Sequence, residues 1–198
     1  MLRPPAFVLA LVALCACNQA PLKEVAAAEA QLEQARRQGA EAYAPERWKE
    51  GQAALQTARN KVQERDYRGA LSAATQATER ARGAAQAAAA AKAMARGAVD
   101  VAQTETEAAL DEVGVVREEA QKARLPEQAF AEVEPRVQEV RQGLKTVADL
   151  VEKDDLLAAE KASAELKKKA QALLEAFRKA RAAWETAHPR GRRAARRR

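Results

Sequence analysis

Cys15 and Cys17, separated by one residue, are the only two thiols in this chain of 198 residues. Such a pair can be a metal half-site, a redox couple or an attachment point. Metal fails on ligand supply, because a zinc site takes four Cys, His or carboxylate ligands and the one histidine, His188, stands beside Pro189 at the far end. A thioredoxin-like couple wants two residues between the cysteines and a strand-to-helix setting. Here an apolar run, Ala6 to Leu14, precedes them instead. Behind the amino terminus and Arg3, that run has the charge and length of a secretory signal, and it is far below the roughly 20 residues of a membrane span.

The other reactive types are equally sparse. Nucleophilic catalysis needs a hydroxyl or thiol beside a base, and the serines are only Ser72 and Ser163, both in alanine-rich helical pattern. Carboxylate neighbours such as Glu118 and Glu119, or Asp154 and Asp155, read as solvated faces and caps, since no apolar pocket is evident to raise a pKa. There is no glycine-rich phosphate loop. Trp48, Tyr67, Phe130, Phe177 and Trp184 read as seam anchors rather than a ligand box. The expectation is no catalytic residue, no metal, no cofactor and no small-molecule substrate.

Leu14-Cys15-Ala16-Cys17 resembles the lipobox of bacterial lipoproteins: a branched aliphatic, a tolerant position, a small residue, then the lipidated cysteine. Cysteine at the tolerant position is a departure from that pattern. The resemblance implies cleavage after Ala16, so that residues 1–16 are the signal peptide, and lipid on Cys17. Two or three acyl chains at about 0.8 kcal/mol per buried methylene make an effectively permanent anchor. Asn18 stands where an aspartate holds such proteins in the inner membrane, so the resemblance implies the outer membrane, facing the periplasm.

Composition indicates an all-α body. Aromatics are 4% of the chain, and alanine, glutamate, glutamine, arginine and lysine dominate, the profile of long helices. The formal charge of +6 belongs to the ends. Without Arg3 and the six arginines of the tail, Arg190, Arg192, Arg193, Arg196, Arg197 and Arg198, the body from Cys17 to Pro189 carries a formal −1. Basicity is therefore no sign of a nucleic-acid-binding fold. The tail, residues 189–198, is expected to be disordered and to seek anionic lipid head groups or peptidoglycan.

Hydrophobic period divides the rest. Residues 17–42 hold the anchor and a first helix, with Val25, Ala28, Leu32 and Ala35 on one face. Residues 43–124 form an alanine-rich hairpin, with Pro45 in the first turn of its first arm and Asp66 capping the second. That second arm keeps one seam from Tyr67 through Ala70, Ala88, Ala95, Ala98 and Ala102 to Ala123, and if unbroken it runs on the order of 85 Å at 1.5 Å per residue. Gly83, Gly97 and Gly114 lie off that seam as alternative kink points.

Residues 125–188 form a second hairpin. Phe130, Val133, Val137, Val140, Leu144, Val147 and Val151 recur at spacings of three and four, with Pro135 marking a kink or a start. Asp154 and Asp155 make the turn, and Leu156 to Trp184 return. An offset of 89 aligns Leu55 with Leu144, Thr57 with Thr146, Val62 with Val151, Asp66 with Asp155 and Ala70 with Ala159. The two hairpins read either as a duplication or as one shared coiled grammar. The fold expected is an elongated set of antiparallel, coiled-coil-like helical hairpins.

Within residues 25–93, the Tyr43-Ala44-Pro45 segment, a helix, a short turn ending in Asp66-Tyr67 and an alanine-spaced return helix resemble the bacterial family called domain of unknown function 4398. The resemblance implies an envelope protein with a helical fold and supplies no activity. Two functional expectations stand: a lipid-anchored spacer or scaffold with a protein partner on its seams, or a tetratricopeptide-like module that grips a peptide or an envelope-complex subunit.

Overall fold

The computed structural model describes residues 20–126, 131 and 133–187, and among these there are helices and no strands. Six helices follow one another: α1 Leu22–Arg37, α2 Ala40–Tyr43, α3 Pro45–Gln63, α4 Tyr67–Lys122, α5 Val133–Glu152 and α6 Leu156–Ala187. The fold is an all-α helical bundle. Cys17 with its lipobox residues Leu14, Cys15 and Ala16, Phe130, His188 and the six tail arginines lie outside the described residues.

The chain divides between Lys92 and Ala93 into two compact units, Met1–Lys92 and Ala93–Arg198. The border falls inside α4, which is a single helix of 56 residues. Its glycines do not interrupt it. Around Gly97 and Gly114 an added Cβ would meet nothing within 4 Å, so both are surface positions that weaken the helix slightly without interrupting it.

In the first unit α1, α3 and the opening half of α4 enclose one core, built on Val25, Leu32, Trp48, Leu55 and the alanines 74, 77, 81, 84 and 88. Gly39, at φ +89°, turns the chain out of α1. Only a residue without a Cβ takes that conformation freely. Pro45 is the first residue of α3, where its missing N–H costs nothing and its fixed φ already suits the helix. Small side chains let the arms approach closely: a Cβ on Gly51 of α3 would sit 3.0 Å from Leu32 of α1 and 3.6 Å from the Ala81 backbone nitrogen of α4.

In the second unit the closing half of α4 packs with α5 and α6 around Val99, Val113, Val140, Val147, Leu173 and Phe177. Pro135 is the third residue of α5, within the first turn, where its missing N–H has no helical partner to lose and no kink is needed. The seam through α4 differs from the sequence reading at one place. Ala98 is exposed and Val99, at 1% exposure, carries the core. The border at residues 92 and 93 is where α4 changes bundle, and the larger isopropyl group takes the buried position because it removes more apolar surface from water than a methyl.

The two hairpins share their turn in detail. The Asp66 N–H donates to the Lys61 carbonyl and the Arg65 N–H to that of Val62; 89 residues on, Asp155 donates to Leu150 and Asp154 to Val151. This paired closure puts one residue in the left-handed region, Arg65 at φ 59° and Asp154 at φ 58°. A third copy ends α4, with Arg124 at φ 59° and Leu125 donating to the Ala120 carbonyl. Each of the first two turns then caps its next helix: Asp66 Oδ1 accepts the Gly69 N–H at 2.9 Å and Asp155 Oδ1 that of Ala158 at 3.3 Å. The longer bond goes with the residue that has a Cβ, since at Gly69 an added Cβ would collide with the Asp66 carboxylate.

Candidate interaction surface

The buried hydroxyls among the described residues are tied into their own helices. Among the described residues Thr106 and Ser163 are the buried polar ones, each at 1% exposure. Thr106 Oγ1 donates to the Ala102 carbonyl at 2.6 Å and Ser163 Oγ to that of Glu160 at 3.0 Å. Among the described residues no group of three or more Cys, His, Asp or Glu side chains could hold a metal ion. No described helix is long and apolar enough to cross a membrane.

Five carboxylates, Glu33, Asp66, Glu134, Glu139 and Glu165, are held on the ionised side of their ordinary range. The Gly69 N–H and the Lys61 ammonium hold Asp66 below the usual aspartate range. Hydrogen bonding from Lys169 holds Glu139 low, and the same pair holds Lys169 high. Glu134 is lowered by Gln138 and by the nearby Arg117, and Glu165 by Lys168. Each shift is that of a charged group stabilised by a donor or cation, the opposite of the desolvated acid that general-acid catalysis uses.

Ion pairs cross the helix seams within each unit. In the first unit Arg59 meets Glu29 at 2.8 Å, and Arg80 meets Glu50 at 3.1 Å. In the second, Lys169 meets Glu139 at 2.6 Å. Glu50 and Arg80 lie 89 residues before Glu139 and Lys169, so the equivalence of the hairpins reaches beyond the turn into their ion pairs. Along one side of the second unit, Glu105, Glu112 and Glu119 of α4, seven residues apart, pair with Lys167, Arg178 and Arg181 of α6. The pairing in that order makes α4 and α6 parallel neighbours.

Between these two helices lie two open grooves. One, of about 500 Å³, has Gly97, Ala98, Val101 and Ala164 along it, with Glu160 and Lys167 at its edge. The other, of about 460 Å³, has Val115, Val116 and Ala182 along its base and Glu112, Glu119 and Glu185 at its edge. Val101 and Val115 are more than half exposed. Sequence reasoning did not single out this face. The signal was there: from Gly97 to Val116 the chain carries Asp100, Glu105, Glu107, Asp111 and Glu112 and no lysine or arginine.

The turn residues are all placed. Pro45 opens α3, Asp66 and Asp155 cap α4 and α6, and Asp154 occupies the left-handed turn position, 3.9 Å from Arg96. These four are positions of structure, each at the start of a helix or in the turn before one. No family model, curated protein or solved structure matches the chain.

Proposed function

We propose that this protein is a non-enzymatic, lipid-anchored component of the bacterial cell envelope, acting in the periplasm as a structural spacer or scaffold fixed to the outer membrane through Cys17. The observation that carries the reading is the sequence Leu14-Cys15-Ala16-Cys17 directly after the apolar run Ala6 to Leu14. Support for the spacer comes from α4, whose 56 residues serve two successive helical units without a break. Support for a non-catalytic role comes from the side chains: buried hydroxyls are bonded to carbonyls of their own helices, and the shifted carboxylates are stabilised as anions. The six arginines between Arg190 and Arg198 add a reversible, ionic attachment to anionic lipid or peptidoglycan.

Metabolic labelling with a fatty-acid analogue tests the anchor. The wild-type chain is expected to take label and to sediment with membranes, and Cys17→Ala to lose both. Absence of label from the wild type, or equal label on the variant, overturns the assignment.

A further inference from the structure

α6 ends beside the closing turns of α4, and the twenty residues of α4 that precede Arg117 have acids and no bases. Ala187 is the last residue of α6, and the sequence continues from His188 to Arg198 with six arginines. Two residues before Ala187, Glu185 stands at the edge of the groove that Val115 and Glu119 of α4 also line.

The cations already in that groove are committed. Arg178 pairs with Glu112, and Arg181 with both Glu119 and Glu185. Arg117 pairs with Glu134 of α5 at 2.7 Å, and among the described residues Glu118 has only the exposed Lys122 ammonium beside it, at 4.0 Å and beyond hydrogen-bond distance. Along α4 beyond the groove, Asp100, Glu107 and Asp111 are exposed, and no ion pair with a described residue engages them. Val115, four residues on from Asp111 and itself part of the groove lining, is an isopropyl group that is 56% exposed.

We infer that residues 190–198 dock on this same molecule, along the α4 side of the groove between α4 and α6, with arginines on Asp111, Glu107 and Glu118 and their aliphatic stems over Val115. The reach is sufficient. Glu107 lies twelve residues back along α4 from Glu119, about 18 Å at 1.5 Å per residue, and eleven residues extended span about 36 Å. The chemistry is matched at both ends of the side chain, since arginine offers a planar donor fork to carboxylates and three methylenes to an exposed valine. Tethering raises the local concentration of the tail far above that of any free peptide. Each contact is exposed and worth little alone, so the docked tail is held weakly enough to give way to an anionic surface. The contact thus makes the ionic attachment conditional: the tail is covered until such a surface competes for it. It concerns the helical body alone and holds whether or not Cys17 carries lipid.

Carbodiimide coupling of the full chain, with Arg193→Lys and Arg197→Lys supplying amines, tests this. At low salt and high dilution the expected products are intramolecular links from Lys at 193 or 197 to Asp111, Glu107 or Glu118, read by mass spectrometry of the digested monomer. These links should be lost when salt is raised from about 10 mM to 1 M, which shortens the Debye length from about 30 Å to about 3 Å. They should not re-form on other carboxylates in the Glu107→Gln, Asp111→Asn, Glu118→Gln variant. Links scattered over both units, links only between two copies of the chain, no links at all, or links indifferent to salt would each overturn the proposal. A tail that never docks would still leave the labelling of Cys17 unchanged, so the two assignments fail separately.

Discussion

Gly143 on α5 lies directly against Leu166 on α6, so that a Cβ added at 143 would overlap the Leu166 isobutyl group. The equivalent pair in the first hairpin, 89 residues earlier, is Ala54 and Ala77. The second hairpin thus holds glycine and leucine where the first holds two alanines of its own core. Packing at crystal-like density requires such compensation, because neither a void nor an overlap is tolerated.

Gly143→Ala is therefore expected to destabilise the second unit by roughly 1–3 kcal/mol despite better helix propensity, the cost of displacing the buried Leu166 isobutyl group. Leu166→Ala should cost roughly 2–5 kcal/mol as a cavity. The double variant recreates the arrangement of the first hairpin and should be less damaged than the two singles summed, with a coupling of about 0.5 kcal/mol or more. Urea unfolding of the four proteins measures it, and strict additivity would show that the two residues do not share a contact.

Arg65→Gly should raise the unfolding midpoint. Its backbone is held at φ 59°, where a side chain costs about 1–2 kcal/mol and glycine does not. Asp66→Ala, one residue on, should lower the midpoint by removing the acceptor for the Gly69 N–H. Circular dichroism melts that moved the two variants in the same direction would contradict this division of roles.

Val99→Ala and Val101→Ala separate the seam from the surface of α4. Val99 is 1% exposed and Val101 58%. The first should cost roughly 2 kcal/mol, two buried methyl groups plus incomplete collapse of the space, and the second less than about 0.5 kcal/mol. Equal losses in chemical denaturation would place the seam elsewhere.

Stability should form a plateau across neutral pH and fall at both ends. In the folded chain Asp66, Glu33, Glu134, Glu139 and Glu165 are held below their ordinary values, so they bind protons less readily than in the unfolded chain. Their contribution is present above about pH 5 and is lost as pH falls through about 4 and below. Lys61 and Lys169 are held above the ordinary lysine value by Glu64 and Glu139. Their contribution is complete below about pH 9.5 and is lost as pH rises past about 10.5. Added salt should lower the plateau modestly, because the pairs are solvent-exposed. Melting temperatures that rose on acidification would reverse the assigned signs.

The sequence by itself determined the helices, their apolar faces and the places where the chain reverses. Val137, Val140, Leu144 and Val147 alternate by three and four, and Asp66 and Asp155 stand where a cap must stand, because local backbone geometry and the helical repeat leave few other solutions. What the tertiary structure decided was partnership. Alanine at every third and fourth position of α4 fits any neighbour, so the switch of the seam from Ala98 to Val99 and the division of α4 between Lys92 and Ala93 depend on which helices approach it. The fit of Gly143 to Leu166 and the ladder of Glu105, Glu112 and Glu119 against α6 were equally hidden, since residues more than twenty positions apart meet only when three helices close around a shared core and leave their charged edges facing one another.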